Sequence, residues 1–252
     1  MDTVAPALLD RLADRGWPAL EREPLDGWTL RASGGVTNRA NSVLASGEPR
    51  SLAPAVEAAE DWYAGRGLPC VFQVSPASPE GLTTLLRSRG YREHSETAIL
   101  VASAPAPARD VEASGGGAAG AVAIAESPSD GWLDTWWSVD GRGGEPERAI
   151  VERILAGGPA LYAWTGDADA PDAVARLALV DDWGGLYAVA TRPEARRRGH
   201  ARALAAALAA EAAARGVERL WLQVLADNGP ASTLYETLGF RPASRYAYWR
   251  RG

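Results

Sequence analysis

Two hydrophobic periods alternate along this chain, and the second half shows them most clearly. Residues 201–215 are rich in Ala, Leu and Arg, all strong helix formers, and Gly216 can take the left-handed conformation that stops a helix. Residues 220–226, with the run Leu220-Trp-Leu-Gln-Val, then read as a buried strand. Pro230 suits a first helical turn, Ala231, Leu234 and Leu238 fall on one helical face, and Gly239 supplies the next stop before an aromatic-rich strand over 240–250. Upstream, runs at 173–180 and 186–191 flank Asp181-Asp182-Trp183-Gly184-Gly185, which predicts a hairpin with glycines where positive φ is needed. In the first half, residues 28–44 read as two strands joined by a polar, Gly-containing turn, followed by a helix over 54–63.

The two halves match each other. Gly67, Leu85, Gly90, Tyr91, Arg92, Ser95 and Ala98 are repeated 149 positions later as Gly216, Leu234, Gly239, Phe240, Arg241, Ser244 and Ala247. One inserted residue between them also places Gln73 opposite Gln223. Residues 102–121 separate the copies with Ala, Pro, Gly and Ser and almost nothing large enough to pack. The pattern predicts an α/β protein with mixed sheets: one domain over 1–103, a linker over 104–120 and a second domain over 121–252.

Composition narrows the chemistry. The chain has 252 residues, 46% hydrophobic and 23% charged, with a net charge of -6, so it reads as globular and carries no domain-wide basic footprint for nucleic acid. Cys70 is the only cysteine and His94 and His200 are the only histidines, too few ligands for a multi-Cys or His-rich metal site, and no metal is expected. The first residues lack a signal-peptide pattern and no apolar run approaches the roughly 18 residues of a membrane span, so a cytoplasmic protein without a membrane partner is expected. Lysine is absent, so every basic side chain is Arg, the residue suited to fixed phosphate contacts.

Three of those arginines stand in an unfavourable place. Arg196, Arg197 and Arg198 lie at the start of a helix, where the macrodipole is already positive, and Gly199 and Ala201 remove bulk at the same point. Free backbone N–H groups, small residues and arginines together suit a pyrophosphate. Arg196-x-x-Gly199-x-Ala201 after a strand resembles the acetyl-CoA signature of the GNAT N-acetyltransferases. Asn228-x-x-Ala231-x-x-Leu234-Tyr235-x-x-Leu238-Gly239-Phe240 is similar to that family's second signature segment. The resemblance covers residues 121–250 directly and the first half through the repeat.

That resemblance implies two tandem GNAT-like domains, the first degenerate, as in mycothiol-synthase-like proteins, and an N-acetyltransferase using acetyl-CoA. It implies that Val189, Ala190 and Thr191 bond the pantetheine arm like an added strand, that residues 196–201, His200 among them as a loop residue over the phosphate, hold the pyrophosphate, and that Asn228 touches the cofactor arm. Tyr235 would lie near the sulfur and act as general acid. Many relatives carry a Glu general base about eleven residues before Arg196, where this chain has Gly185. Asp181 and Asp182 are the nearest upstream acids and Glu126 a further one. Trp132, Trp136, Trp137, Asp134 and Asp140 form an aromatic and acidic cluster suited to a cationic amine, or else core. In the first half Thr37, Arg39, Asn41 and Ser42 make a polar cluster, and Cys70 reads as a core thiol. The expected acceptor is a small-molecule amine, with a protein amine, or acyl-CoA binding without turnover, as the alternatives; monomer and homodimer both stay open.

Overall fold

The computed structural model describes residues 4–105 and 120–252, so most of the expected linker, residues 106–119, lies outside the described residues. The first elements are α1 (Pro6–Gly16), β1 (Glu21–Leu25), β2 (Trp28–Ala32), β3 (Val43–Leu44), α2 (Leu52–Ala64), β4 (Val71–Val74), α3 (Leu82–Ser88) and β5 (Tyr91–Ser103). They are followed by β6 (Val122–Ala125), α4 (Asp130–Asp140), α5 (Glu145–Leu155), β7 (Ala160–Gly166), β8 (Pro171–Val180) and β9 (Trp183–Thr191). The last are α6 (His200–Ala214), β10 (Arg219–Leu225), α7 (Gly229–Thr237) and β11 (Arg241–Arg251).

Two compact units result, and neither is one continuous stretch of chain. The first comprises Met1–Ile99, Val224–Gly229 and Pro242–Gly252; the second comprises Leu100–Gln223 and Pro230–Arg241. Sequence patterning instead assigns 121–252 to one domain. What patterning does not reveal is the partner of the last strand: β11 pairs antiparallel with β4, Tyr248 opposite Gln73 and Trp249 opposite Phe72. Pairing partners are set by tertiary packing, to which hydrophobic period is blind.

In the first unit the strand order is β1-β2-β3-β4-β11-β5, with β1, β2 and β3 antiparallel and β3 parallel to β4 across α2. One sheet face is apolar: Trp28, Leu30, Phe72 and Trp249 pack on Val56, Ala59, Tyr63, Leu82 and Leu86 of α2 and α3. The other face is polar and organised by Arg31, a buried guanidinium. Its Nε donates to Ser42 O at 3.0 Å, its Nη2 to Ser42 Oγ at 2.7 Å and to Gln73 Oε1 at 2.8 Å, and its Nη1 to Asp14 Oδ1 at 3.3 Å. A charge taken out of water is tolerated only with such a full set of acceptors. Across the sheet, the Tyr63 hydroxyl donates to Arg31 O at 2.8 Å and so ties α2 to β2.

The second unit repeats the scheme in the order β10-β9-β8-β7-β6, antiparallel from β6 to β9 and parallel between β9 and β10 across α6. Tyr162 and Thr165 project from opposite faces of β7. Trp132 of α4 meets the first edge-on at 5.3 Å and His200 of α6 bonds the second at 2.9 Å, so the two helices cover opposite faces. The β8–β9 turn is Asp181-Asp182, with Asp181 in the left-handed region at φ 55. Gly184 and Gly185 therefore do not serve the turn, as the sequence suggests; they lie inside β9.

Several acidic protons are buried. Burial pushes the Cys70 thiol up to about 12, far from a reactive thiolate, and raises the phenols of Tyr63 and Tyr91 above their ordinary range. Groups whose pKa is higher in the folded than in the unfolded chain contribute stability below their unfolded values, about 8.5 for Cys and 10 for Tyr, and lose it as pH rises through the folded ones. Stability is expected to fall steeply above about pH 10, seen as a lower denaturant midpoint than at neutral pH; an unchanged midpoint would contradict the burial assigned to these groups.

Candidate functional site

The site begins with an irregularity in β9. Val174 pairs with Ala190 and Arg176 with Tyr187, so one residue of β8 faces two of β9. Ala188, one of the two, has φ 51, a left-handed conformation that L-residues adopt at a cost. This β-bulge bends and over-twists the strand. On its other edge β9 pairs with β10 only from Trp183↔Arg219 to Leu186↔Leu222. Among the described residues of this unit, no strand pairs with the β10-facing edge of residues 188–191. That edge carries backbone N–H and C=O groups able to accept an extended ligand arm as if it were a strand. Val189, Ala190 and Thr191 fall on this segment.

Past Thr191 the chain makes a single 3-10 turn over Pro193–Ala195 and enters α6 through Gly199. Gly199 is left-handed at φ 86, and a Cβ added there would meet nothing within 4 Å, so the glycine serves backbone conformation and an open approach. Arg197 is also left-handed at φ 63. Two left-handed residues so close to a helix start are the backbone from which an anion-binding nest is built, in front of the free N–H groups of α6. Arg196, Arg197, Arg198 and Gly199 are exposed, and α6 has no acid in its first turn to offset the dipole. Arg196 Nε donates to Thr191 O at 3.4 Å.

His200 departs from expectation. As the first residue of α6 it is buried, its Nδ1 2.9 Å from Thr165 Oγ1 and its Nε2 without a hydrogen-bond partner. The imidazole anchors the helix start to β7 and does not lie over the loop as a phosphate ligand. Ala201 is small and half-buried behind it. Tyr235 on α7 is 9% exposed and packs edge-on against Phe240 at 5.9 Å. Burial pushes its phenol up to about 12, so it stays protonated at any working pH. Asn228 is exposed at the position preceding α7, its N–H bonded to Leu225 O at 3.0 Å.

Gly185 is glycine for a packing reason. A Cβ added there would fall inside the indole of Trp221, and at Gly184 it would come within 2.9 Å of Leu220 Cδ2. Trp221 is wholly buried, donates from Nε1 to the Tyr187 hydroxyl at 3.2 Å, and lies 6.4 Å from the Trp183 ring. The indole thus fills the space that a side chain at position 185 would occupy.

The expected acceptor residues do not form a ligand surface. Trp132 is wholly buried, its Nε1 donating to Ala163 O at 3.1 Å, and Trp136 is 5% exposed; both are core. Trp136 and Trp137 instead line, with Leu133, Arg148 and Val151, a shallow dent between α4 and α5. Asp134 is paired with Arg148 at 2.7 Å. Asp182 is exposed, but it sits beyond the paired end of β9, four residues and roughly 13 Å from where the strands part. Its carbonyl accepts from the N–H of Glu218 at 2.9 Å, a turn role. Glu126 is paired with Arg215 at 2.6 Å. Helical spacing made the tryptophans ambiguous between core and ligand contact, and only packing decides between them.

Because position 185 is filled, Gly185→Ala is expected to lower stability by about 1–3 kcal/mol in denaturant unfolding, the usual cost of overpacking. Gly185→Glu is expected to destabilise without raising turnover; an active, stable Gly185→Glu protein would show that the indole can be displaced.

Comparison with known proteins agrees with this geometry. The family described as "Probable histone acetyltransferase Rv0428c C-terminal" matches residues 7–249. A Bacillus subtilis protein named "Uncharacterized N-acetyltransferase YobR" is 30% identical over 243 residues, 95% of this chain and 96% of that protein. "Probable histone acetyltransferase Rv0428c" of Mycobacterium tuberculosis is 28% identical over 248 residues, 95% of this chain and 72% of that one. Among solved structures, a GCN5-related N-acetyltransferase from Kribbella flavida shares the fold with a TM-score of 0.70 at 16% identity, covering 100% of this chain and 96% of that one. A tandem GNAT protein from the clavulanic acid biosynthesis pathway does so at 0.64 and 13%, covering 96% and 86%. A bulged strand parting from its parallel neighbour, an open helix start behind it and matches along nearly the whole chain lead to one assignment: this is an acetyltransferase, a member of the GNAT family of N-acetyltransferases.

Proposed function

We propose that the enzyme takes its acetyl group from acetyl-CoA and delivers it to a primary amine of a small molecule. The observation that carries the donor assignment is the edge of β9 over residues 188–191, without a strand partner among the described residues of its unit and running directly into the Gly199-led start of α6. The backbone of Val189, Ala190 and Thr191 would hold the pantetheine arm, and the amides of residues 197–201 with the arginine side chains would hold the pyrophosphate. Asn228 is assigned to the cofactor arm on resemblance alone. Bound there, acetyl-CoA supplies an acetyl group already activated as a thioester.

The protein's own part is positioning and polarisation. An N–H beside the bulge, assigned to Val189, orients the thioester carbonyl and draws charge onto its oxygen. The Tyr235 hydroxyl, kept protonated by burial, would donate to the departing sulfur, a role that the family's second signature segment implies. A phenol raised to about 12 is a weak acid beside a thiol of roughly 8.5, so its contribution is a hydrogen bond that strengthens as negative charge gathers on sulfur more than a completed proton transfer. With position 185 closed, the chain offers no carboxylate there to take the amine proton. That favours acceptors of low basicity, or proton loss to solvent. A protein amine is the second reading, supported by the histone acetyltransferase description of one relative.

Calorimetric titration with acetyl-CoA tests the donor site: specific binding to the natural chain is expected, with loss in Gly199→Glu, whose carboxylate and side chain enter the nest. Retained binding in that variant would move the site elsewhere. Tyr235→Phe is expected to lower kcat about a hundredfold with acetyl-CoA affinity unchanged. The natural enzyme's kcat should show no alkaline limb from Tyr235 below about pH 11, its protonated form being the active one; a limb near pH 10 abolished by the substitution would contradict the buried phenol. Parallel assays with small amines and with N-terminal or lysine peptides separate the two acceptor classes.

A further inference from the structure

The polar face of the first unit contains hydrogen-bonding groups that the fold itself does not use. Gln73 on β4 is 3% exposed; its Oε1 accepts from Arg31, which fixes the amide's orientation and turns Nε2 away as a donor with no partner. Tyr248, opposite Gln73 on β11, is 4% exposed, and its hydroxyl makes no hydrogen bond of ordinary geometry, although the Tyr246 phenol, edge-on at 5.3 Å between ring centroids, is within electrostatic reach. His94 on β5 stacks on Tyr248 at 6.0 Å, with Nδ1 3.0 Å from Ser95 Oγ and a buried, unpartnered Nε2. Native proteins leave few such atoms unsatisfied, because each one costs its full desolvation.

The field around them is positive. Tyr248 feels the charges of both Arg31 and Arg39. Asp14 is engaged by Arg31 and by Arg22 at 2.5 Å. Asp10 accepts from Ser75 Oγ at 2.6 Å, and burial raises its pKa toward the neutral form. The loop before β3 is built to hold Arg39 in place: Asn41 Oδ1 accepts from the N–H groups of Ser33 and Gly35, and its Nδ2 donates to the carbonyls of Val36 and Thr37. Trp17 Nε1 donates to Thr37 Oγ1, and the Arg39 guanidinium lies 6.0 Å over the Trp17 ring.

Unused donors in a positive field ask for an anionic acceptor. We propose that this face of the first unit binds a small carboxylate, with Tyr248 Oη and Gln73 Nε2 as the two principal donors and His94 Nε2 beside them. Cross-strand partners project from the same sheet face about 5 Å apart at Cβ, so both side chains can turn toward one ligand. The site is built from residues of the first unit alone and does not rest on the acetyl-CoA reading.

The test is titration of the 15N-labelled full chain with sodium formate and sodium acetate, following the Gln73 side-chain amide by NMR, with sodium chloride, inorganic phosphate and methylammonium chloride as controls. Saturable shifts of that amide with the carboxylates alone are expected. Tyr248→Phe should weaken the effect about tenfold, the equivalent of one hydrogen bond, and should melt no lower than the natural chain, since the lost hydroxyl makes no hydrogen bond of ordinary geometry. His94→Phe, which keeps the stacking, should weaken binding while leaving the fold intact. No saturable shift, equal shifts in both variants, equal shifts with chloride or phosphate, or a Tyr248→Phe chain that melts lower or fails to fold would each overturn the proposal. Acetyl-CoA titration of the same variants should be unchanged.

Discussion

Between Val174 and Arg176 on β8 there is one residue, and between Tyr187 and Ala190 on β9 there are two; the second unit's chemistry depends on this mismatch. A sheet normally satisfies both edges of an interior strand, and leaving half of β9 without its neighbour would be costly unless something else pairs there. The bulge makes that opening a fixed property of the backbone. It holds the direction of β9 as the strand leads, through two left-handed residues, into the start of α6. In the proposed binding mode, ligand arm and ligand charge would be met by one continuous run of chain, with main-chain atoms doing most of the recognition.

Glycine and tryptophan set the limits of that opening. Where β9 and β10 remain paired, Gly184 and Gly185 let Leu220 and Trp221 close over the strand. The tight zone and the open zone share one strand and change at Leu186. A carboxylate in the tight zone would be excluded by volume before its charge mattered, and this gives a physical reason for the missing acid at position 185.

Much of the second unit was legible from sequence because its signals are local. The helix over 201–215, the strand after it and the glycine stops depend on propensity and period, and α6 and β10 fall within one residue of those bounds. The arginine and glycine run before α6 was legible for the same reason. The bulge was not, since Ala188 carries no side-chain signature of a positive φ. Nor was the burial of His200, which depends on Thr165, 35 residues away. The glycines after Asp182 carry a turn signature, yet the aspartates make the turn and the glycines make room for an indole. Trp132 read as core, with ligand contact as the lesser alternative, because helical spacing describes a face without saying what covers it.

The pairing of β11 with β4 bears on how the chain is made. Tyr248 follows its partner Gln73 by 175 residues, so the edge of β4 that β11 occupies is complete only when synthesis has reached the last strand. On the ribosome, the unit that holds β1 to β4 closes its sheet only after the second unit's strands have been made. Until then β4 offers an unpaired edge to neighbouring nascent chains, and a chain cut short before β11 would be damaged in the unit built from the earlier strands.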